Sequence, residues 1–122
     1  MNIEHLKNNG TDIAVISSER KLIADTQSAL ELAMTVKYEA GTTNIVISKS
    51  AVDEEFFILS SGMAGEILQK FINYHVRIAI YGDYSHYTSK PLKDFIFESN
   101  NGNDFFFVAT KEEAIKKLTG TQ

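Results

Sequence analysis

The densest group of side chains able to do chemistry is Asp83, Ser89, Lys90, Asp94 and Glu98. Lys90, Asp94 and Glu98 recur at i, i+4 and i+8, which puts them on one side of a helix opened by Ser89 and Pro91. Paired carboxylates are what general acid–base work or a hard cation requires, and an adjacent lysine supplies an anion contact. The same spacing also describes a solvated helix face carrying an ordinary ion pair. These five residues are therefore a candidate rim for a small-molecule ligand or a protein partner, with no catalytic residue assigned. A second candidate is Ser60, Ser61 and Gly62, immediately before an apolar repeat that begins at Met63. Unpaired N–H groups at a helix start attract an anion or a phosphorylated hydroxyl, and a serine there is equally an ordinary N-cap. The Gly62-x-x-Gly65 spacing lacks the lysine and length of a P-loop and does not follow the nucleophile-elbow pattern.

Tyr81, Tyr84 and Tyr87 cluster around one loop, where they either line the mouth of a site or pack over the end of a sheet. His5, His75 and His86 show neither His-x-x-x-His nor facial-triad spacing, so neither a metal nor a cofactor is expected. The chain has no cysteine, which excludes a catalytic thiol, disulfides, zinc ribbons and iron–sulfur clusters and suits a reducing cytoplasm. A net charge of −4 with scattered lysines and arginines argues against a nucleic-acid partner. Phenylalanines such as Phe56, Phe57, Phe105, Phe106 and Phe107 fall inside apolar runs and read as core, not as base-stacking platforms. The segment Met1–Gly10 is polar and no apolar run approaches the roughly 18 residues of a membrane span, so a cytoplasmic protein off the membrane is expected.

The elements that must position these residues follow from periodicity. With 122 residues, 43% hydrophobic and 23% charged, the chain fits one globular domain over 1–122 that buries roughly two-thirds of its unfolded surface. Ile3–Lys7 and Asp12–Ile16 flank Asn9-Gly10 and predict a β-hairpin. Asp25 predicts the cap of a helix with a stripe of Leu30, Ala33, Met34 and Tyr38, stopped by Gly41. Ile45–Ile47 predicts a strand, and Asp53–Leu59 is left between a helical turn and a bend. A second helix runs from Met63 with Ile67, Leu68, Phe71 and Ile72 inward. Val76–Tyr81 is a buried strand, and the third helix turns Leu92, Phe95 and Ile96 inward, with Asn100, Asn101 and Gly102 ending it. Phe97 falls off that stripe, where it either helps a homo-oligomer contact or covers a helix edge. Phe105–Ala109 is the last strand, and Thr110 with Glu113 opens a closing helix that Gly120 ends.

The predicted order is β-β-α-β-α-β-α-β-α: an α/β fold with a mixed, mostly parallel sheet, an N-terminal β-hairpin and covering helices. Ligands of such sheets bind beyond the carboxyl ends of the strands, which places Ser48–Ser50 and Gly82–Ser89 near one rim. The stretch from Ile45 to Glu66, with Leu59-Ser60-Ser61-Gly62-Met63-Ala64-Gly65 opening a helix, resembles the STAS domain of sulfate transporters and anti-sigma-factor antagonists. Leu59 stands where that family carries an aspartate, and Ala64 is an extra residue between Met63 and Gly65. Segments reading GEILQKF, GDYSHYTSK and LKDFIFESNNG resemble a bacterial family known as domain of unknown function 4180. These resemblances imply a STAS-like fold and a bacterial cytoplasmic setting. Two functions follow as expectations: a non-enzymatic regulatory or protein-interaction module, or a small-molecule-binding protein or enzyme using the polar rim.

Overall fold

The computed structural model describes residues 1–120. Strand β1 (Asn2–Asn8) turns into β2 (Thr11–Ser17) through Asn9 and Gly10, both at positive φ. That is the backbone a two-residue primed turn demands, and Asn-Gly adopts it with little strain. Helix α1 (Thr26–Ala40), strand β3 (Asn44–Ser48), helix α2 (Met63–Asn73), strand β4 (Arg77–Tyr81), helix α3 (Lys90–Asn100), strand β5 (Phe105–Val108) and helix α4 (Lys111–Thr119) follow. The five strands lie in sequence order in one sheet, antiparallel between β1 and β2 and parallel elsewhere. This is the α/β architecture expected from the pattern of apolar runs.

Two rows of side chains show why the sheet needs cover on both faces. Val15, Val46, Ala79 and Phe106 stand in register across β2–β5 on one face, and Ile16, Ile47, Ile80 and Phe107 on the other. The second row joins buried residues of α1, α2 and α3 in the larger core, whereas the first packs against Ala114 and Leu118 of α4. Parallel crossovers are right-handed, so three consecutive steps across the sheet in one direction put α1, α2 and α3 on one side. Helix α4 follows the last strand, is under no such constraint, and covers the opposite face.

The helix ends carry the expected caps. Asp25 accepts from the Ser28 N–H while the Ser28 hydroxyl receives the Asp25 N–H, a reciprocal capping box. Thr110 caps α4, and Gly41 and Gly120 close α1 and α4 in the left-handed region.

The face of α1 differs from the expected stripe. The buried residues are Ala29, Leu32, Ala33 and Val36, while Met34 is exposed and Tyr38 is 91% exposed. Both sets have helical spacing and share Ala33. The one chosen puts two alanines under the helix, which lets its axis come close to the sheet, and leaves the larger Met34 and Tyr38 outside. Similarly, α2 buries Ala64 with Ile67, Leu68 and Phe71 and leaves Ile72 half exposed. The undecided stretch Asp53–Leu59 lies within a staircase of 3₁₀ turns over Lys49–Ala51, Glu54–Phe57 and Leu59–Ser61. It buries Phe56 and Phe57 and leaves Ile58 exposed.

Candidate functional site

The staircase sets the geometry of the first site. The Ser61 hydroxyl donates to the Glu55 carbonyl (3.0 Å) and accepts from the Met63 N–H (3.2 Å). Gly62 sits at φ +81°, donates its N–H to the Leu59 carbonyl and begins α2 with no side-chain cap. A left-handed residue there favours glycine, since any Cβ would strain the backbone. Ser60, Ser61 and Gly62 are all exposed on this shoulder. Behind it lies a groove of about 270 Å³ lined by Asp25, Thr26, Glu55, Ser61, Gly62, Met63 and Glu66. The Thr26 hydroxyl donates to the Glu66 carboxylate and so ties α1 to α2. Asp25, Glu55 and Glu66 make the groove electronegative, which opposes the attraction of a bare helix start for an anion and favours a cationic side chain.

The rim at the carboxyl ends of β3 and β4 is the second site. Asp83 accepts from the Ser85 N–H (2.9 Å), and hydrogen bonds from Ser85 hold its carboxyl below the usual range. Ser89 accepts the Leu92 N–H as cap of α3, and Lys90 pairs with Asp94 at 2.7 Å on an exposed helix face that also carries the exposed Glu98. Asp83 lines an open cavity of about 500 Å³ with Gly82, Tyr84, Phe107, Val108 and Ala109. Lys90, Asp94 and Glu98 do not line it.

Sequence reasoning places Tyr84, Tyr87 and the Ser48–Ser50 segment near this rim but does not bring Glu54 and Phe57 to it or single out Lys49. The Lys49 ammonium lies 2.9 Å from a Glu54 oxygen and 5.1, 6.0 and 5.0 Å from the ring centres of Phe57, Tyr84 and Tyr87. The Tyr87 hydroxyl reaches both oxygens of Glu54 at 3.0 Å. Phe57 and Tyr87 stack with centroids 5.4 Å apart, and the Tyr84 hydroxyl donates to the Ile80 carbonyl at 2.8 Å. Burial and the neighbouring Tyr87 push the Tyr84 phenol far up, so it stays protonated. The tyrosine cluster was the available signal. Its partners come from a non-periodic bend and carry none.

Among the described residues, no three histidine or acidic side chains gather as a metal cage, and no helix is long and apolar enough to cross a membrane. Fold and sites together define a small open-sheet α/β domain with an acidic shoulder at one helix start and an aromatic rim at the strand ends. The chain belongs to the family described as domain of unknown function DUF4180, which matches residues 8–118. No curated protein and no solved structure gave a match.

Proposed function

We propose that the protein is a non-enzymatic regulatory or protein-interaction module that receives a partner on the shoulder at the start of α2. The observation that carries this reading is Ile58, 55% exposed between two 3₁₀ turns and beside Ser60, Ser61 and the electronegative groove. An apolar side chain held out by a backbone whose N–H and carbonyl are both hydrogen-bonded, close in sequence to concentrated negative charge, suits a partner that offers an apolar contact and a lysine or arginine. The element order is STAS-like, and STAS domains act by presenting the corresponding helix start in the bacterial cytoplasm, which is the setting proposed here. Phosphorylation of Ser60 or Ser61 would add about −1.5 to −2 charges to this surface and alter what binds.

The test is quantitative recovery of partners from cell extract on immobilised protein. Ile58→Asp and Glu66→Lys should each abolish recovery of the partner that wild type retains, and Ser61→Asp should change recovery where Ser61→Ala does not. Equal recovery by wild type and all four variants would remove the shoulder from the function.

A second reading is a small-molecule-binding protein or enzyme at the polar rim of Asp83, Ser89, Lys90, Asp94 and Glu98; of these five, Asp83 alone lines the 500 Å³ cavity, so the support for this reading is confined to that residue. Phe97, 69% exposed on α3, is the contact a homo-oligomer would use.

A further inference from the structure

Lys49 retains only 15% of its side-chain exposure, although it belongs to a short turn at the end of β3. An ordinary surface ion pair needs a carboxylate and nothing more. Lys90 and Asp94 form such a pair with the lysine 84% exposed. Around Lys49, by contrast, three aromatic rings converge with Glu54. Ring faces carry the negative part of an aromatic quadrupole, so the box selects for positive charge. A primary ammonium is one occupant that such a box accepts. It has three N–H donors, and among the described residues the oxygens recorded beside it are those of Glu54 and Tyr87. Rings replace lost hydration poorly for an N–H donor but well for a methylated nitrogen, which has no donor to satisfy.

The stem of Lys49 is also accommodated by a missing side chain. A Cβ at Gly82 would lie 2.6 Å from the Lys49 Cβ and 3.2 Å from its Cδ. Gly82 and Tyr84 are shared with the open 500 Å³ cavity. Of the residues around the Lys49 ammonium, Tyr84 lines that cavity, so the cavity lies beside the rings and the lysine. Its place beyond the strand ends is where open α/β sheets take ligands.

We propose that the box of Phe57, Tyr84, Tyr87 and Glu54 is a binding site for small quaternary ammonium compounds, with the Lys49 ammonium as a built-in competitor that holds the site until the ligand displaces it. This does not depend on the shoulder beside α2, because none of Lys49, Glu54, Phe57, Tyr84 and Tyr87 lines that groove.

The test is calorimetric titration of the full chain with tetramethylammonium chloride and with choline chloride at constant ionic strength. Lys49→Ala should bind both saturably and at least about tenfold more tightly than wild type, because the competitor is gone. The neutral carbon isostere of choline, 3,3-dimethylbutan-1-ol, should bind that variant at least about tenfold more weakly than choline does. Adding Tyr87→Ala to Lys49→Ala should remove saturation. Absence of saturable binding to folded Lys49→Ala, or equal binding of the neutral isostere, overturns the proposal. Wild type supplies a second readout that does not require the variant to fold. Tetramethylammonium should move the NMR resonances of the Lys49 ε-methylene and the Tyr87 ring, while sodium chloride at equal concentration should not. Resonances that respond equally to both salts overturn it as well.

Discussion

Lys49 and Glu54 each hold the other's charge in place. Burial alone would lower the Lys49 ammonium, but the Tyr87 hydroxyl and the Glu54 carboxylate more than offset it and raise its pKa above the ordinary 10.5. The hydrogen bond from Lys49 outweighs burial at Glu54, with help from the Tyr87 hydroxyl, and lowers its pKa below 4.5. The lowered Glu54 contributes stability that is present above 4.5 and is lost as pH falls through its folded-state value. The raised Lys49 contributes stability that is present below 10.5 and is lost as pH rises through its own. The pair is thus fully engaged between those limits. Glu54 is 60% exposed, so solvent screening keeps its contribution near that of a surface pair. Glu54→Gln is expected to cost about 0.5–1 kcal/mol at neutral pH, and the difference from wild type should close at a pH well below 4.5. Urea unfolding of both proteins at the two pH values checks this, and a difference that persists in acid would show that the glutamate acts through packing. None of this was legible in the sequence. Lys49 and Glu54 are five residues apart on either side of a bend, and no periodic pattern links them to Tyr87. Ser61 and Gly62, by contrast, were legible as the start of α2 because the helical repeat beginning at Met63 points back to them.

At the scale of elements, the outer edge of β5 shows how a parallel sheet is closed without another strand. The main chain of Phe107 faces away from β4, and the Asn100 side chain meets it with two hydrogen bonds: its carbonyl accepts the Phe107 N–H at 2.7 Å and its amide donates to the Phe107 carbonyl at 3.0 Å. A single amide at the end of α3 does the work of a neighbouring strand and blunts an edge that would otherwise recruit another chain. Phe107 is 4% exposed, so water cannot readily take over. Asn100→Ala is expected to cost about 1–3 kcal/mol, the penalty of stranding buried polar groups. Denaturant unfolding should show a lower midpoint with an unchanged slope, and the Phe107 amide should exchange faster in deuterated solvent. A loss within experimental error would mean that α3 shifts to re-cover the edge. In the sequence, Asn100-Asn101-Gly102 reads as a helix stop, and α3 does end there. The second role stayed hidden because it depends on where α3 lies against β5. The same limit explains α1: a period of 3.6 identifies a helix, but two overlapping stripes sharing Ala33 leave its rotation to be decided by the surface beneath.

At the scale of the whole molecule, the two faces of the sheet are defended unequally. Helices α1, α2 and α3 share one face, while the described residues place only α4, nine residues long, on the other. The alternation of strands and helices was enough to predict the sheet, and the handedness of crossovers accounts for the first three helices. The side taken by α4 follows from the remaining apolar row of Val15, Val46, Ala79 and Phe106, which no other helix among the described residues covers. That helix is therefore anchored at several points: the Thr110 cap, the left-handed Gly120, and an Arg77 guanidinium that donates to the Leu118 carbonyl at 3.0 Å. Its main apolar investment is Leu118, 1% exposed. Removing that side chain leaves a cavity against the sheet that a short helix cannot close by shifting without losing its caps, so Leu118→Ala is expected to cost about 2–5 kcal/mol. A domain of this size has about 5–15 kcal/mol in total, and one side chain on the thinly covered face therefore decides a large share of it. Ile72→Ala, on the half-exposed edge of α2, is the matched control and should stay within about 0.5 kcal/mol of wild type. Chemical unfolding of the two variants side by side checks the asymmetry. Equal losses would mean that the face under α4 is no more vulnerable than the surface of the opposite layer.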